Sequence, residues 1–281
     1  MSVLSRTPLS DGPTEFPTGP APRRRMSVRD RLRRSVPGVI ALGALAGLWQ
    51  LSSVFLSPVA TPSLTEIWSS MQAIVTDWAQ LENLVRTGVR ILIGLLLAFA
   101  IGMVPGVLMG FSEGIRTYLR PILYFVQGIP ALSWVVFAVL WFTDAEVRIA
   151  FILVMVTFPN FSLFVEGAVR GVPQELRELG HAFRASRWNQ FRQIVLPAIT
   201  PAILSSWAVN LGNGVRAVVV AELVGATVGV GNRLLLAQSL FNMADAMAWT
   251  LLLVLMLLLF QTVLNLIESR LLAWRPVGER R

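Results

Sequence analysis

Long apolar runs that carry no charge constrain this chain more than any other feature of its sequence. About 20 apolar residues at ~1.5 Å rise per residue cross the hydrocarbon core of a bilayer as a helix. Five runs meet this length, at 36–56, 91–111, 121–143, 149–165 and 246–267. A sixth, at 203–225, is interrupted by Arg216 and Glu222 but is otherwise apolar. We therefore predict an all-α membrane protein with six transmembrane helices.

The composition supports a membrane protein and excludes several kinds of site. Hydrophobic residues make up 54% of the chain and charged residues only 14%, where a soluble domain has roughly 25% charged residues. There is no cysteine and His181 is the one histidine, which excludes disulfides, thiolate metal sites and multi-histidine sites. An intramembrane enzyme would need a nucleophile–base pair or a metal constellation, so we expect neither catalysis nor a cofactor.

The basic residues, all of them arginine, are distributed asymmetrically. Seven lie between Arg23 and Arg34, immediately before the first apolar run, and positive charge flanking a membrane span favours the cytoplasmic side. Six crossings return the C-terminus to that side, so both termini are predicted to be cytoplasmic. Arg233 is the clearest exception on the opposite side. The net charge of +8 is explained by this topology and by anionic lipid headgroups rather than by nucleic acid.

The apolar runs divide the chain into five parts. Residues 1–35 are rich in proline, serine, threonine and arginine and are predicted to be a disordered cytoplasmic N-terminus. Residues 36–60 form the first transmembrane helix, a retained signal anchor. An external amphipathic helix is predicted at 61–82, and a five-helix core at 83–276 that includes a cytoplasmic loop at 166–199. Residues 277–281 form a cytoplasmic tail.

The predicted external helix begins with a capping-box spacing at Ser63 and Glu66. Its apolar residues, two tryptophans among them, recur every three or four positions and so share one face. That face either lies along the outer membrane surface or packs on the outer mouth of the helix bundle. The period alone leaves both interpretations open.

Small residues and prolines mark the later helices. Gly102, Gly106 and Gly110 are four residues apart, which predicts close approach of another helix, either as a moving seam or as ordinary packing. Pro130 in the third predicted span and Pro159 in the fourth predict kinks.

The polar loop at 166–199 carries two short amphipathic patterns. Leu176, Leu179 and Phe183 share one face, and Trp188, Phe191 and Ile194 repeat the pattern before Pro197 ends it. Two short helices joined by a bend and lying parallel to the membrane fit this spacing. Such a unit transmits force if a soluble partner holds it.

This loop resembles the cytoplasmic signature of permease subunits of ATP-binding cassette (ABC) importers. That signature reads Glu-Ala-Ala, three residues, Gly, nine residues, Ile, one residue, Leu-Pro. Glu178, Ile194 and the pair Leu196-Pro197 stand at matching positions. The chain departs from it at Leu179 and Gly180, which replace the alanines, and at Arg184, which replaces the glycine and puts the geometry of the bend in question.

Further segments look like the nitrate/sulfonate/taurine branch of these permeases. They are 128–134, 140–142, 171–173, 185–188 and 221–226, and the resemblance extends from about residue 61 to 276. It implies the type I ABC importer permease architecture in a bacterial cytoplasmic (inner) membrane. It also implies a small, anionic solute; a heterocyclic vitamin precursor is the alternative within the family.

The resemblance also implies partners and an interface. The partners are ABC ATPase subunits, an extracytoplasmic solute-binding protein, and a second permease, either another copy of this chain or a paralogue. The loop would dock in the ATPase through a set of residues that could otherwise be solvated charges or membrane-surface anchors: Glu175, Glu178, Arg184, Ala185, Ser186, Arg187, Trp188 and Pro197.

Charges within the predicted spans are functional candidates, because a charge costs roughly 2.5–3.5 kcal/mol to insert at the bilayer centre. Arg216 and Glu222 would line the solute pathway or find structural partners on other helices. Six residues apart on one helix, they are separated by about 240° and do not share a face. Arg86 and Arg90, at the outer end of the second span, are expected to extend to lipid headgroups.

A secondary transporter driven by an ion gradient is the alternative from another functional class. It predicts inverted repeats and broken helices near the middle of the membrane. The sequence shows no convincing internal repeat. Without a lysine the chain lacks a Gly-x-x-x-x-Gly-Lys phosphate loop, so an ATP-driven importer would hydrolyse ATP on a separate subunit.

Overall fold

The secondary structure is entirely helical in the part of the chain that the structure describes. The computed structural model describes residues 28–55, 61–176 and 186–272, with side chains from residue 36 onward except that of Arg187. The helices, in chain order, are α1 (Val28–Phe55), α2 (Leu64–Thr76), α3 (Trp78–Phe111), α4 (Glu113–Gly128), α5 (Ala131–Trp141), α6 (Ala145–Arg170), α7 (Arg187–Gln190), α8 (Leu196–Gly225), α9 (Val230–Ser239) and α10 (Met243–Leu271), with a π-helical turn (Phe191–Val195) before α8.

The described residues fall into two compact units, one ending at Leu48 and one beginning at Trp49. In the first unit, α1 begins at Val28, eight residues before the predicted start at 36, so part of the segment predicted to be disordered is helical. Residues 1–27 and the predicted tail at 277–281 lie outside the described residues. The second unit holds the remaining helices and every site considered below.

Five helical stretches are long and apolar enough to cross a membrane. They are Val36–Phe55, Trp78–Phe111, Ala145–Arg170, Trp188–Gly225 and Met243–Leu271. The span expected over 121–143, with a kink at Pro130, consists of two helices, α4 and α5, which meet at a bend of 91°. The described chain therefore has five candidate spans, or six if the bent pair forms one.

Proline chemistry explains the break between α4 and α5. Ile129 precedes a proline, which disfavours helical geometry, and its backbone is extended at φ −75° and ψ 123°. Pro130 is extended as well and begins α5 as a cap that forms no side-chain hydrogen bond. The two helices therefore stop and restart at a sharp angle. Pro105 and Pro159, by contrast, lie inside the continuous helices α3 and α6.

Helix α2 is held at its start as the sequence predicts. The backbone N–H of Ser63 donates to Oε2 of Glu66 at 2.8 Å, and Oγ of Ser63 accepts from the N–H of Glu66 at 3.3 Å. Ile67 and Ile74 are buried against the bundle while Trp68 is exposed, and α2 contacts α3 and α10. Packing on the bundle, one of the two interpretations left open, is therefore observed. The helix ends before Asp77.

The glycine stripe of α3 packs against α6. A Cβ at Gly102 would lie 2.7 Å from the carbonyl oxygen of Phe158, and one at Gly106 would lie 2.7 Å from that of Ser162. At Gly110 it would lie 2.5 Å from Cβ of Val169. These positions therefore need glycine because the two backbones are in close contact. The predicted close approach of a second helix is confirmed, and α6 is that helix.

An aromatic cluster joins α3, α6 and α8 in the interior. The ring centroids of Phe99, Phe161 and Trp207 lie 5.4–5.5 Å apart, in the edge-to-face and tilted arrangements that aromatic pairs favour. Around them, buried aliphatic side chains of these helices and of α10 form the main core. The helices α3, α6 and α8 thus form a packed frame that positions charged side chains at both of its ends.

Candidate functional sites

The second half of the predicted coupling loop presents an exposed aromatic residue. Oγ of Ser186 accepts from the N–H of Asn189 at 3.3 Å and so caps the short helix α7. Trp188 is 67% exposed and stacks on Phe191 at 6.0 Å between ring centroids. Phe191 in turn contacts Phe111, at the end of α3, at 6.5 Å. An exposed tryptophan is therefore anchored to the bundle through one ring.

The other predicted coupling residues are placed in part. Glu175 and Pro197 are exposed, and Pro197 lies in the first turn of α8. Glu178, Arg184 and Ala185 lie outside the described residues, as does the side chain of Arg187. Contact of this segment with an ATPase therefore stays a prediction.

A π-helical turn joins this segment to α8. The backbone N–H of Leu196 donates to the carbonyl of Phe191, five residues earlier, and a proline follows at position 197. Val195 within the turn is buried with Val169 and Ile199. Single π turns inside α-helices occur frequently at functional sites. Here the turn lies between the exposed loop and a long core helix.

A charged cluster ties the start of α4 to the end of α6, beside the coupling loop. Arg116 donates to Glu166 at 2.8 Å and to Glu113 at 2.6 Å. Arg170 donates to Glu113 at 2.5 Å and lies 3.8 Å from Glu166. Glu166 is buried, so its charge requires these arginines. The cluster therefore fixes the end of α6 where the chain enters the loop.

A second charged cluster lies at the opposite end of the bundle and contains Glu222. The carboxylate is fully buried and accepts from Nη1 of Arg90 at 2.6 Å and from Oγ1 of Thr87 at 2.9 Å. The remaining nitrogens of Arg90 donate to Glu146 on α6. The expectation that Arg90 extends to lipid headgroups is wrong, because its side chain is only 10% exposed and bridges two carboxylates.

This second cluster holds the start of α9. The successive N–H groups of Gly229, Val230 and Gly231 donate to Asn83, Thr87 and Glu222 respectively, at 2.8–2.9 Å. Free N–H groups at a helix N-terminus favour a negative charge, so the Glu222 carboxylate is stabilised there. The arrangement leaves no room at Gly229, where φ is +133° and a Cβ would lie 2.5 Å from Oε1 of Glu222. Glu222 thus has structural partners, and its role in the pathway stays a prediction.

Arg216 lies apart from Glu222, as their spacing on α8 predicts. It is exposed, and it bonds within its own helix, to the carbonyl of Gly212 at 3.0 Å and to Oδ1 of Asn213 at 3.3 Å. Within the described residues it has no carboxylate at ion-pair distance. An exposed, unpaired cation on a candidate span fits a wet cavity or a subunit interface better than lipid.

Sequence reasoning missed most of the partners in both clusters. Asn83, Thr87 and Arg90 recur at intervals of four and three residues, so they share one face of α3, and that signal was available. Their acceptors and donors on α6, α8 and α9 are 56–146 residues away. Among the described residues, no three histidine or acidic side chains gather as a metal site requires.

A family model described as "Binding-protein-dependent transport system inner membrane component" matches residues 91–273. The chain belongs to this family. The match includes the coupling loop at 166–199 and every candidate span after α1 except the first part of α3. The family predicted from the sequence is therefore confirmed, and the chain is a multi-pass transport component.

Named relatives of this transport family cover most of the chain. The putative aliphatic sulfonates transport permease protein SsuC of Bacillus subtilis is 27% identical, over 85% of this chain and 87% of its own length. The nitrate import permease protein NrtB of Leptolyngbya laminosa is 26% identical, over 71% and 74%. The taurine transport system permease protein TauC of Escherichia coli is 25% identical, over 89% and 94%.

The fold is shared with a chain of a solved transporter. A chain from a structure described as "Inward facing conformations of the MetNI methionine ABC transporter" superposes with a TM-score of 0.63. It is 20% identical and covers 69% of this chain and 96% of its own length. At that identity the likeness concerns the fold alone.

Proposed function

We propose that this chain is the permease subunit of an ATP-driven importer in a bacterial cytoplasmic membrane. Two permeases form the pathway for a small anionic solute delivered by a solute-binding protein, and ATP is hydrolysed on separate ATPase subunits. The observation that carries the proposal is the family match over 91–273, which includes the loop expected to dock in the ATPase. The lack of any lysine, and hence of a phosphate-binding loop, is consistent with ATP chemistry elsewhere.

The relatives' substrates support an anionic solute. Sulfonates, nitrate and taurine, which three relatives are named for, each carry negatively charged oxygens. Arg216 is the residue we assign to the pathway, since it is exposed on α8 and has no carboxylate partner among the described residues. A vitamin-precursor importer is the alternative within the family. Ligand binding by the partner solute-binding protein distinguishes the two.

A gradient-driven secondary transporter is supported by one feature, the break of 91° between α4 and α5. Broken helices line the solute sites of such transporters. Family membership outweighs this feature, because it rests on residues 91–273 together rather than on a single bend.

The coupling loop supplies the decisive test. Replacing Glu178 by Ala removes the one acidic side chain that matches the family signature, and we expect solute uptake to fall about tenfold, the loss typical of a charged contact in an interface. Glu82→Ala, at the opposite end of the bundle, is the matched control and should leave uptake unchanged. The measurement is uptake in cells that express the whole transporter, together with copurification of the ATPase.

The same measurements decide between an importer and the gradient-driven alternative. Normal uptake by Glu178→Ala, with no ATPase copurifying with either protein, contradicts the importer. Arg184→Gly restores the family's residue, and we expect it to preserve uptake. A loss of uptake there means that Arg184 makes a contact with this transporter's own ATPase.

A further inference from the structure

The break between α4 and α5 leaves successive backbone carbonyl groups without a hydrogen-bond partner. Pro130 has no N–H to donate, and the N–H groups of Ser133 and Trp134 donate to the carbonyl of Pro130. Within the described chain, no N–H group donates to the carbonyls of residues 127–129. In a continuous helix each of these carbonyls would accept from the residue four positions later. The break therefore exposes backbone acceptors that a helix would satisfy.

Two side-chain amides meet beside this break. Nε2 of Gln127, the next-to-last residue of α4, donates to Oδ1 of Asn160 on α6 at 2.5 Å. This bond leaves Oε1 of Gln127 and Nδ2 of Asn160 without a partner among the described residues. Gln127 and Gly128 are exposed, and a Cβ at Gly128 would meet nothing within 4 Å. The break is thus accessible from outside the chain and is bordered by polar atoms.

The break lies deep in the part of the bundle that spans the membrane. Helix α6 is 26 residues long, which corresponds to about 39 Å. Asn160 lies about 4 Å from the midpoint of α6 and about 9 Å from Glu166, whose ion pair with Arg116 marks one end of the bundle. The hydrocarbon core of a bilayer is about 30 Å thick, so Asn160 and the break beside it lie well inside it.

Lipid is an unfavourable neighbour for this arrangement. Non-helical backbone at membrane depth is tolerated only where it is buried in protein or lines a water-filled cavity. The exposure of Gln127 and Gly128 shows that the described chain does not bury the break, which favours the water-filled cavity. Phe164, one turn further along α6 from Asn160, is exposed as well. Aromatic walls with a few convergent polar groups are typical of ligand sites.

A purely structural role accounts for only part of these observations. Asn and Gln side chains often hydrogen-bond across helices within membranes, and the bond between Gln127 and Asn160 joins α4 to α6 in this way. That role does not explain the unpaired carbonyls or the amide atoms that remain free on an accessible surface. A second permease packed dry against them would leave the same groups unsatisfied, at a cost in free energy.

We infer that the break between α4 and α5 lines the solute pathway in the middle of the membrane, where Gln127 and Asn160 offer hydrogen bonds to the oxygen atoms of the solute. The inference rests on the proposed function for the pathway and for the class of solute. Neutral amides hold an anion less tightly than an arginine does, which suits a site that must release its solute. Arg216 lies nearer the opposite end of the bundle, since Gly214 on the same helix packs against Leu153 of α6.

Cysteine labelling of the full chain tests this inference, because the chain has no cysteine of its own. Permeabilised membrane vesicles that carry the whole transporter are treated with sodium (2-sulfonatoethyl) methanethiosulfonate, a small anionic reagent that is excluded from lipid. It attacks thiolates, which form in water, so Gln127→Cys should be labelled at least about tenfold faster than Ile101→Cys. Ile101 is the matched control, because it is exposed on α3 at the same depth, beside Gly102, which packs against Phe158.

Protection by solute separates a pathway from an unrelated wet crevice. Sodium ethanesulfonate, and separately sodium nitrate, replaces sodium chloride at constant ionic strength, and we expect at least one of them to slow the labelling of Gln127→Cys in a saturable manner. Melting temperatures show whether the variants are folded, and Asn160→Cys replaces Gln127→Cys if the latter does not fold. Labelling no faster than that of Ile101→Cys overturns the inference, and so does labelling that neither solute slows. The reaction needs no ATP hydrolysis, so its failure is distinguishable from failure of the Glu178 test.

Discussion

Glu222, a buried residue in a candidate span, forms hydrogen bonds with several elements of the bundle. Its carboxylate satisfies Arg90, Thr87 and the N–H of Gly231 at once, so it joins α3 to the start of α9. Removing one partner of a buried ion pair leaves an uncompensated charge, whereas an exposed pair contributes little. At the same end of the bundle, Glu222 belongs to a buried ion pair and Glu82 to an exposed one.

Glu222→Ala is expected to lower the free energy of unfolding by about 3–5 kcal/mol, because Arg90 then keeps only Glu146 as a carboxylate partner while the Thr87 hydroxyl and the N–H of Gly231 lose their acceptor. Glu82→Ala, which removes the exposed partner of Arg86, should cost at most about 0.5 kcal/mol. Both are measured by denaturation of the purified chain in detergent micelles. The double variant Arg90→Ala/Glu222→Ala should be less destabilised than the sum of the single variants. Equal losses for Glu222→Ala and Glu82→Ala would contradict a structural role for the buried cluster around Glu222.

At the residue scale, the sequence predicts which charges matter better than it predicts their partners. The sequence points to Glu222 and Arg216 because any charge inside an apolar run is costly. A helical period shows which face of a helix a residue occupies but not what packs against that face, so the sequence alone places Arg90 at lipid headgroups rather than beside Glu222. The ion pair spans 132 residues of sequence, and only packing of the helices brings it together.

Helices α3 and α6 make the most extensive helix–helix contact among the described residues. Glycines along α3 let the two backbones approach each other. An ion pair joins α3 to α6 at one end of the bundle, and another joins α4, the helix after α3, to α6 at the other end. In the proposed function, displacement of the coupling loop would act on this pair of helices through α6, which ends at Arg170 where the loop begins. The glycine spacing predicted a close neighbour correctly, while the identity of that neighbour required the structure.

Gly106→Ala is expected to destabilise the chain by about 1–3 kcal/mol, because the new Cβ would lie 2.7 Å from the backbone oxygen of Ser162 and 2.8 Å from Cβ of Val165. Neither atom is the end of a flexible side chain, so the helices must separate. Gly167→Ala on α6 is the matched control, with nothing within 4 Å of its Cβ. Alanine should there stabilise the helix by up to about 1 kcal/mol. The measurement is the thermal melting of both variants. An unchanged melting temperature for Gly106→Ala would show that α3 and α6 can separate at little cost in free energy.

The break between α4 and α5 marks the limit of prediction at the element scale. Pro130 predicts a kink, because proline removes a donor and its neighbour avoids helical geometry. It does not predict a bend of 91°, since many helices continue through a proline, as α3 and α6 do at Pro105 and Pro159. The sequence stays apolar on both sides of Pro130, so hydropathy across 121–143 gives no sign of a break.

At the scale of the whole molecule, this break decides the topology. If the bent pair crosses the membrane, there are six crossings and both termini lie on one side; if it turns back, there are five and the termini lie on opposite sides. The arginine distribution favours six, because the five arginines of the loop at 166–199 then lie on the cytoplasmic side with the N-terminal arginines, whereas five crossings would place them on the opposite side. The coupling loop must also be cytoplasmic to meet an ATPase.

Single cysteines test this topology cleanly, because the chain has none of its own. We expect Thr143→Cys, in the exposed turn before α6, and Ser239→Cys, at the end of α9, to react with a membrane-impermeant maleimide in intact spheroplasts. Gly114→Cys, at the exposed start of α4, should react only after permeabilisation, since it precedes the crossing. Solubilised protein, in which all three should react, is the control. If Gly114→Cys and Thr143→Cys are labelled from the same side, the bent pair is re-entrant, and the coupling loop and the N-terminal arginines then lie on opposite sides of the membrane.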